Sequence, residues 1–336
     1  MNPLKGIHHV TAITSSAERI YAFFTHVLGY RLVKKTINQD DINTYHLFFA
    51  DEEGRAGTDM TFFDFPGSVP AINGTDVIQR TAFRVPDDAA LDYWRLRFET
   101  YAVVHEPIKT LFGVKTLFFE DFDQQAYALV SDQNDTGVAS GQPWKKGPVP
   151  DDVAITGLGP VFIRVSRLDR MHQALTDKLK MRAAGQEGTL HRYEMGEGGN
   201  GASIIIDDQP GLPKARLGHG AVHHVAFRIE DKTELETWMS HLNVIGANHS
   251  GLVDRFYFKS LYTRLYPEIL FEFATEGPGF IDDEETVETL GETLALPPRF
   301  RPLRDQITTL VRHIDTTRSD QDYIKETKEV LERGKR

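Results

Sequence analysis

The sequence repeats one pattern four times, and this repetition restricts the fold more than any other feature. Each copy opens with a short apolar stretch and continues, about seven residues later, with a segment whose apolar residues recur every three or four positions. The opening stretch is typical of a β-strand, and the later spacing is typical of a helix with one buried face. The four opening stretches are residues 6–11, 78–85, 161–165 and 222–229.

Each helical segment is followed by extended stretches that Gly, Asp and Asn residues interrupt. One copy therefore consists of a strand, a helix and three further strands. A period of about 60–80 residues is too long for a solenoid repeat and suits a small α+β module. The sequence therefore predicts an α+β fold of four βαβββ modules that form two barrel-like halves.

A stretch rich in Gly, Pro, Asp and Ser lies near the middle of the chain and predicts a linker between two pairs of modules. Beyond the fourth module the sequence becomes polar and charged, and we expect a helical tail on the surface. The predicted units are an N-terminal domain at 1–135, the linker at 136–152, a C-terminal domain at 153–296 and the tail at 297–336.

The composition argues against several classes of protein. A net charge of −11 and the lack of dense basic patches argue against a nucleic-acid surface. The chain has no cysteine, which excludes disulfides, thiolate metal sites and cysteine nucleophiles. No apolar stretch is long enough to predict a membrane span, and no signal peptide is visible. We therefore expect a cytoplasmic protein without a nucleic-acid or membrane partner.

Two of the four opening strands carry adjacent histidines, His8-His9 and His223-His224. The other two strands lack histidine at the positions that we align with these pairs, which are Gln79-Arg80 and Phe162-Ile163. Because neighbouring side chains of a strand point to opposite faces, one histidine of each pair is expected to face the concave side of the sheet. The other is expected on the opposite surface or in support of the first. Two pairs at one repeat position indicate a functional site.

Glu272 is a lone carboxylate in an otherwise apolar strand at residues 269–274. A buried, unpaired carboxylate is costly, so Glu272 either faces solvent or is neutralised by a cation. The equivalent strand of the first module has an aromatic residue near this position. Two histidines and one carboxylate on one face of a metal ion leave open positions, an arrangement associated with non-haem Fe(2+) oxygenases. The same ligands also suit Mn(2+), Zn(2+) or Ni(2+).

The stretches that contain these residues resemble the vicinal-oxygen-chelate superfamily, which includes glyoxalase I, fosfomycin-resistance proteins and extradiol dioxygenases. Within that superfamily, the chain is similar to the ring-cleaving dioxygenases that act on hydroquinones. The matching stretches are GIHHVTAIT (6–14), LGYRLVKKTINQDD (28–41), TYHLFFADEEGRAGTDMTFFDFPG (44–67), AVHHVAFRI (221–229) and DRFYFKSLYTRLYPEILFEFATEGPGF (254–280).

The resemblance implies that the second histidine of each pair is a ligand, so that His9, His224 and Glu272 hold the metal, with Fe(2+) as the expected ion. Since one ligand belongs to module one and two belong to module four, these modules are expected to pack around one cavity. Modules two and three would then form a second half without ligands. The resemblance also implies five catalytic residues near the substrate, which are His8, Thr11, His223, Arg255 and Tyr262.

The activity implied by the resemblance is extradiol-type ring cleavage of a hydroquinone or catechol-like aromatic diol by O2. The expected partners are therefore a small aromatic diol and O2, and the superfamily also suggests a homo-oligomer. Two other functions remain open for the same fold. One is a glyoxalase-type lyase or isomerase, in which the metal acts only as a Lewis acid. The other is a non-catalytic protein that binds aromatic compounds or confers resistance.

Overall fold

The computed structural model describes residues 1–282, 284–318 and 321–334, and the strands in it are grouped into four modules. The first two modules contribute β1 (Ile7–Ile13), β2 (Arg31–Asn38), β3 (Asp41–Ala50), β4 (Asp59–Phe63), β5 (Val77–Val85), β6 (Lys109–Leu111), β7 (Val114–Glu120) and β8 (Ala126–Ser131). The last two contribute β9 (Gly157–Val165), β10 (Arg182–Glu187), β11 (Leu190–Glu194), β12 (Ser203–Asp208), β13 (Ala221–Ile229), β14 (His249–Asp254), β15 (Phe258–Tyr266) and β16 (Ile269–Pro278).

A helix follows the opening strand of every module, as predicted. The α-helices are α1 (Ala17–Ala22), α2 (Asp88–Thr100), α3 (Leu168–Gln173), α4 (Lys232–Val244), α5 (Arg304–Leu310) and α6 (Lys328–Gly334). Helices α1 and α3 continue as π-turns over Phe23–Val27 and Ala174–Lys178, and a 3-10 turn at Pro298–Leu303 precedes α5. Asp87 and Asp231 cap α2 and α4 by accepting hydrogen bonds from the backbone of the first turn. Within the described residues, no helix combines the length and apolarity that crossing a membrane requires.

Two eight-stranded, curled sheets form the two halves of the molecule. One sheet joins modules one and four in the order β14-β15-β16-β13-β1-β4-β3-β2, and the other joins modules two and three in the order β10-β11-β12-β9-β5-β8-β7-β6. In each sheet the two opening strands are antiparallel at the centre, and each pairs in parallel with the last strand of its own module. The α+β fold of βαβββ modules and the pairing of module one with module four are both confirmed.

Each sheet thus combines one module that precedes the segment 136–152 with one module that follows it. The predicted domains at 1–135 and 153–296 are therefore successive parts of the chain, and each contributes strands to both sheets. Residue 283 of the second predicted domain, and residues 319–320 and 335–336 of the predicted tail, lie outside the described residues.

The register of the central strands corrects the alignment of module three. Strands β1 and β13 pair His9 with Ala226, and strands β5 and β9 pair Arg80 with Phe162. Arg80 therefore occupies the position of His9, as expected, but Phe162 occupies the position of Ala226. The second histidine of module four then corresponds to Pro160, three residues before Ile163, which the sequence alignment had matched with it. The alignment of Phe162-Ile163 with the histidine pair is wrong, because similarity over five apolar residues does not fix a strand register.

Among its described residues, the predicted tail is helical only in α5, α6 and the short turn before α5, and much of it packs against the rest of the molecule. The Lys35 ammonium donates a 2.9 Å hydrogen bond to the Ile314 carbonyl, and Arg318 donates to the carbonyls of Leu32 and Leu290. Several apolar side chains of this segment are buried, namely those of Ile307, Val311, Ile314 and Leu331. The tail therefore covers the edge of the first sheet near β2.

Candidate metal centre

Three adjacent strands of the first sheet bring His9, His224 and Glu272 together. The imidazole Nε2 atoms of His9 and His224 lie 3.1 Å and 2.9 Å from the same carboxylate oxygen, Oε2 of Glu272. The two Nε2 atoms are 3.3 Å apart. All three residues are buried, and within the described residues they are the one group of three His, Cys, Asp or Glu side chains close enough to share a metal ion.

The ligand separations fit a divalent metal ion. Ligand atoms at about 2.1 Å from a metal lie roughly 3.0 Å apart when they subtend a right angle and roughly 3.4 Å apart in a tetrahedron. Two of the three separations, 2.9 and 3.1 Å, are nearer to the right-angled value, and the third, 3.3 Å, is nearer to the tetrahedral one. Burial alone would raise the pKa of Glu272, but the two imidazoles hold it well below its ordinary value. A fully buried carboxylate anion without a Lys or Arg partner is the group that a cation neutralises.

The register explains why His8 and His223 lie beside the ligands. In the pairing of β1 with β13, His8 and His223 are skipped, so each is the extra residue of a β-bulge. Gln79 is skipped in the same way in β5, which places the bulge at the equivalent position of the second sheet. A bulge redirects side chains that strict alternation would separate. The first histidine of each pair was expected either on the opposite surface or in support of the second. The structure places it in the supporting position, in contact with the second histidine.

If His9 and His224 bind the metal through Nε2, the hydrogen bond within each histidine pair defines which ring nitrogens carry a proton. The Nδ1 atoms of His8 and His9 are 2.9 Å apart, and those of His223 and His224 are 2.8 Å apart. Each ligand then donates its Nδ1–H to its neighbour, as ligating histidines commonly do. The Nε2–H of His8 donates in turn to the Thr275 carbonyl at 3.1 Å. The ring of His223 has no second hydrogen bond among the described residues.

A chain of hydroxyl groups leads away from the centre. Thr11 Oγ1 lies 3.1 Å from Nε2 of His224 and 2.7 Å from Oγ1 of Thr61. The Thr61 hydroxyl lies 2.9 Å from Nε2 of His46. Burial, followed by the two ligand imidazoles, lowers the pKa of His46 well below its ordinary value, so the ring is neutral at neutral pH. Thr11 was predicted from the sequence, but Thr61 and His46 were not.

Tyr262 and Arg255 lie on the other side of the centre. The pairing of β15 with β16 sets Tyr262 directly opposite Glu272. The Nε–H of Arg255 donates a 3.2 Å hydrogen bond to the Tyr262 hydroxyl, and its Nη2 lies 2.9 Å from the Asp40 carboxylate. Burial raises the pKa of Tyr262, so the phenol keeps its proton. Burial disfavours the charge on Arg255, but Tyr262 and Asp40 raise its pKa above its ordinary value.

Sequence reasoning also missed Ser260. The Ser260 hydroxyl donates a 2.6 Å hydrogen bond to Oε1 of Glu272. A signal for it exists, because Ser260 lies two residues before Tyr262 and so shares its face of β15. The contact itself depends on the register between β15 and β16, which the sequence does not specify.

The residues at the positions equivalent to Glu272 in the other three modules show whether another module could supply a metal ligand. The parallel pairing of opening and closing strands puts Thr61, Ala128 and Ile205 at the positions that correspond to Glu272 in modules one, two and three. The position in module one thus holds a threonine, next to the aromatic Phe62. A neutral hydroxyl is a weak metal ligand, so a metal held here would have His9, His224 and Glu272 as protein ligands and would retain open positions.

The centre forms part of the wall of a cavity of about 400 Å³. This volume lies within the range of pockets for small organic molecules. Aromatic rings dominate its lining, with the His46 ring 3.9 Å from that of Phe48 and 4.4 Å from that of Phe63. The remaining rings in the lining are the imidazoles of His9, His223 and His224 and the rings of Phe65, Tyr257, Phe258 and Tyr262. A planar aromatic molecule therefore suits the cavity in both size and polarity.

Comparison with known proteins places the chain in a family. Residues 6–126 match the model of the Glyoxalase/Bleomycin resistance protein/Dioxygenase superfamily. Similarity to individual members extends over nearly the whole chain, and the chain belongs to this superfamily.

Two curated relatives are named as dioxygenases. The chain is 40% identical over 316 residues to the provisionally named ring-cleaving dioxygenase MhqA of Bacillus subtilis, a match that covers 93% of this chain and 99% of the relative. It is 29% identical over 313 residues to the chlorohydroquinone/hydroquinone 1,2-dioxygenase of Sphingobium indicum, covering 90% and 95% of the two chains. The crystal structure of a provisionally assigned dioxygenase from Bacillus subtilis superimposes with a TM-score of 0.86 at 33% identity, covering 94% and 99%.

Proposed function

We propose that this protein is an extradiol-type ring-cleaving dioxygenase that acts on a hydroquinone or catechol-like aromatic diol. The observation that carries this proposal is the set of three ligands, His9, His224 and Glu272, in the wall of an aromatic cavity with open metal positions. Similarity to relatives named for ring cleavage supports it. In the reaction, one ring C–C bond breaks and both atoms of O2 enter the product.

Fe(2+) is the metal that we propose for the centre. Ligand separations of 2.9–3.3 Å suit a divalent ion, and two imidazoles with one carboxylate are the ligand set of non-haem iron oxygenases. Mn(2+) shares these preferences, whereas Zn(2+) and Ni(2+) are less suited to reaction with O2. When bound, the metal brings the diol and O2 together and carries electrons between them.

Thr11, Thr61 and His46 are proposed to remove the proton of the diol hydroxyl that enters the centre. Thr11 Oγ1 lies beside a ligand nitrogen and can accept this proton while it donates its own to Thr61 at 2.7 Å. Thr61 then donates to Nε2 of His46 at 2.9 Å. His46 is neutral and can accept the proton at this atom, but its lowered pKa makes it a weak base, so the proton stays there only transiently. The proton therefore moves along hydrogen bonds that are already formed.

His223, Tyr262 and Arg255 are proposed to act on developing negative charge. The Nε2–H of His223 is not used by another described residue, and His223 lines the cavity, so it can donate a hydrogen bond to a substrate oxygen. The Tyr262 oxygen accepts from Arg255, which leaves the phenol hydrogen available as a donor. Arg255 holds this phenol in place and adds positive charge. His8, which is tied to the Thr275 carbonyl, is proposed to orient His9 rather than to touch the substrate.

Oxygen uptake by protein loaded anaerobically with Fe(2+) tests the proposal. We expect uptake with at least one of hydroquinone, methylhydroquinone and catechol, and a product that contains both atoms of ¹⁸O2. The Glu272→Gln variant is the control, because it keeps the shape of the side chain and removes its charge. Absence of uptake across the panel with iron intact would refute the dioxygenase. Turnover with Ni(2+) or Zn(2+) that consumes no O2 would instead indicate the lyase or isomerase.

A further inference from the structure

An ion pair joins the two ends of the first sheet beside the cavity. Asp40 lies in the turn between β2 and β3, at one edge of the sheet, and Arg255 lies between β14 and β15, at the other edge. Nη1 and Nη2 of Arg255 donate hydrogen bonds of 3.2 Å and 2.9 Å to the two carboxylate oxygens of Asp40. Both residues line the cavity, and the Asp40 side chain is 70% exposed. The pair therefore lies where the cavity opens to solvent.

Gln39 adds a second link between the same two turns. Its Nε2 donates a 2.7 Å hydrogen bond to the Arg255 carbonyl, and its Oε1 accepts a 2.8 Å hydrogen bond from Arg299 in the 3-10 turn before α5. The side chain and the backbone of Arg255 are thus held by consecutive residues of one turn. A partly exposed ion pair adds little to the stability of a protein. Two links to one residue therefore indicate that the position of Arg255 is what they determine.

The guanidinium that Asp40 holds is also the group that holds Tyr262. Arg255 donates to the Tyr262 hydroxyl at 3.2 Å through Nε, the one guanidinium nitrogen that Asp40 does not use. The Tyr262 ring lies 6.1 Å from the ring of the ligand His224. An arginine side chain has many rotamers, so it can position a phenol only if its far end is fixed. The two-point contact with Asp40 fixes that end.

We infer that Asp40 is a positioning residue, which acts through Arg255 to direct the Tyr262 hydroxyl at the substrate. Without the carboxylate, the guanidinium can turn toward solvent, and the phenol loses the donor that orients it. A displacement of about 1 Å at a catalytic group can lower a rate about 100-fold. This inference rests on the proposed function, in which Tyr262 donates a hydrogen bond to developing negative charge.

Asp40→Asn tests the inference, because it keeps the size of the side chain and removes its charge. With the diol that gives the fastest oxygen uptake, we expect kcat to fall about tenfold, while KM and iron content stay within about twofold of the wild type. In a Tyr262→Phe background the same change should alter kcat less than about twofold, because the hydroxyl through which Asp40 acts is gone. Asp40→Glu keeps the carboxylate and should lower kcat less than Asp40→Asn does.

Asp254→Asn is the matched control, because Asp254 is an exposed carboxylate that precedes Arg255 and pairs with Lys259. It should leave kcat unchanged in both backgrounds. An equal fall in kcat for Asp40→Asn with and without the Tyr262 hydroxyl would overturn the inference. An unchanged kcat, or a loss of iron from Asp40→Asn, would overturn it as well.

A spectroscopic measurement distinguishes failure of this inference from failure of the proposed function. When 3-fluorotyrosine replaces Tyr262 in protein loaded with Zn(2+), the ¹⁹F resonance reports the environment of the phenol without turnover. We expect Asp40→Asn to shift or broaden this resonance and Asp254→Asn to leave it unchanged. Identical spectra for all three proteins would overturn the inference. A shift caused by Asp40→Asn, in a protein whose wild type consumes no O2 with any diol, would refute the proposed function and leave the positioning of Tyr262 by Asp40 standing.

Discussion

The Ser260 hydroxyl lies 2.6 Å from Oε1 of Glu272, and this hydrogen bond separates the functions of the two carboxylate oxygens. Oε1 is held by Ser260, while Oε2 alone faces His9 and His224. The carboxylate thereby presents one oxygen, Oε2, to the two histidines. Such supporting contacts fix ligand orientation as much as the ligands themselves do.

Ser260→Ala should weaken metal binding about 10–100-fold, because the carboxylate then rotates freely. Competition with a chelator of known affinity measures the change. Ser240→Ala on α4, whose hydroxyl donates to the Glu236 carbonyl far from the centre, is the control and should behave as the wild type. An unchanged metal affinity would mean that the strand alone orients Glu272.

Glu272→Gln should abolish stoichiometric metal binding, since a neutral amide cannot neutralise a buried divalent ion as a carboxylate does. Metal content of protein purified anaerobically is the measurement. Glu276→Gln, further along the same strand, removes a carboxylate that pairs with Arg228 near the surface and should retain the metal. Equal metal content in both variants would contradict the assignment of Glu272.

His8→Asn and His223→Asn should differ in effect, although the two residues occupy equivalent bulges. In each variant the Asn oxygen can replace the Nδ1 atom that accepts from the ligand histidine, so both should retain metal. Only His223→Asn removes a donor that faces the cavity, and its kcat should fall about 100-fold or more. His8→Asn loses only the bond to Thr275 and should keep kcat within about threefold of the wild type. Equal losses of kcat would refute the distinction.

His46→Gln should lower kcat about 100-fold at neutral pH, because glutamine can bond to the Thr61 hydroxyl but cannot take up its proton. Metal content should not change, since His46 is not a ligand. Steady-state oxygen uptake and metal analysis provide the two measurements. A lost metal, or an unchanged kcat with metal bound, would exclude the proposed proton path.

Asp121→Asn should stabilise the protein at pH 8 and leave its stability nearly unchanged at pH 4. Burial raises the pKa of Asp121 to about 7 from an ordinary value of 3.8. Between pH 3.8 and about pH 7, Asp121 is therefore protonated in the folded state and ionised in the unfolded state. The contribution of this proton to the free energy of unfolding is fully present below pH 3.8 and is lost as the pH rises through about 7. Urea unfolding at several pH values measures this, and parallel profiles for wild type and variant would contradict it.

The sequence alone determined the order of strands and helices and the identity of the three proposed ligands. Hydrophobic periodicity is a local property, so the four βαβββ modules could be read directly from the spacing of apolar residues. The repetition also revealed that only modules one and four carry His-His, and from this the pairing of those modules followed. Similarity to a family then selected His9 and His224 within the pairs.

Only the tertiary structure decided what surrounds these ligands. The bulges at His8 and His223 arise in the register between β1 and β13, strands that are far apart in the chain. The contact of Ser260 with Glu272 and the position of Thr61 opposite Thr11 likewise depend on pairing between strands. A shift of one residue would turn each of these side chains to the other face of the sheet. Local sequence cannot specify such a register, because it is set by the packing of whole modules against each other.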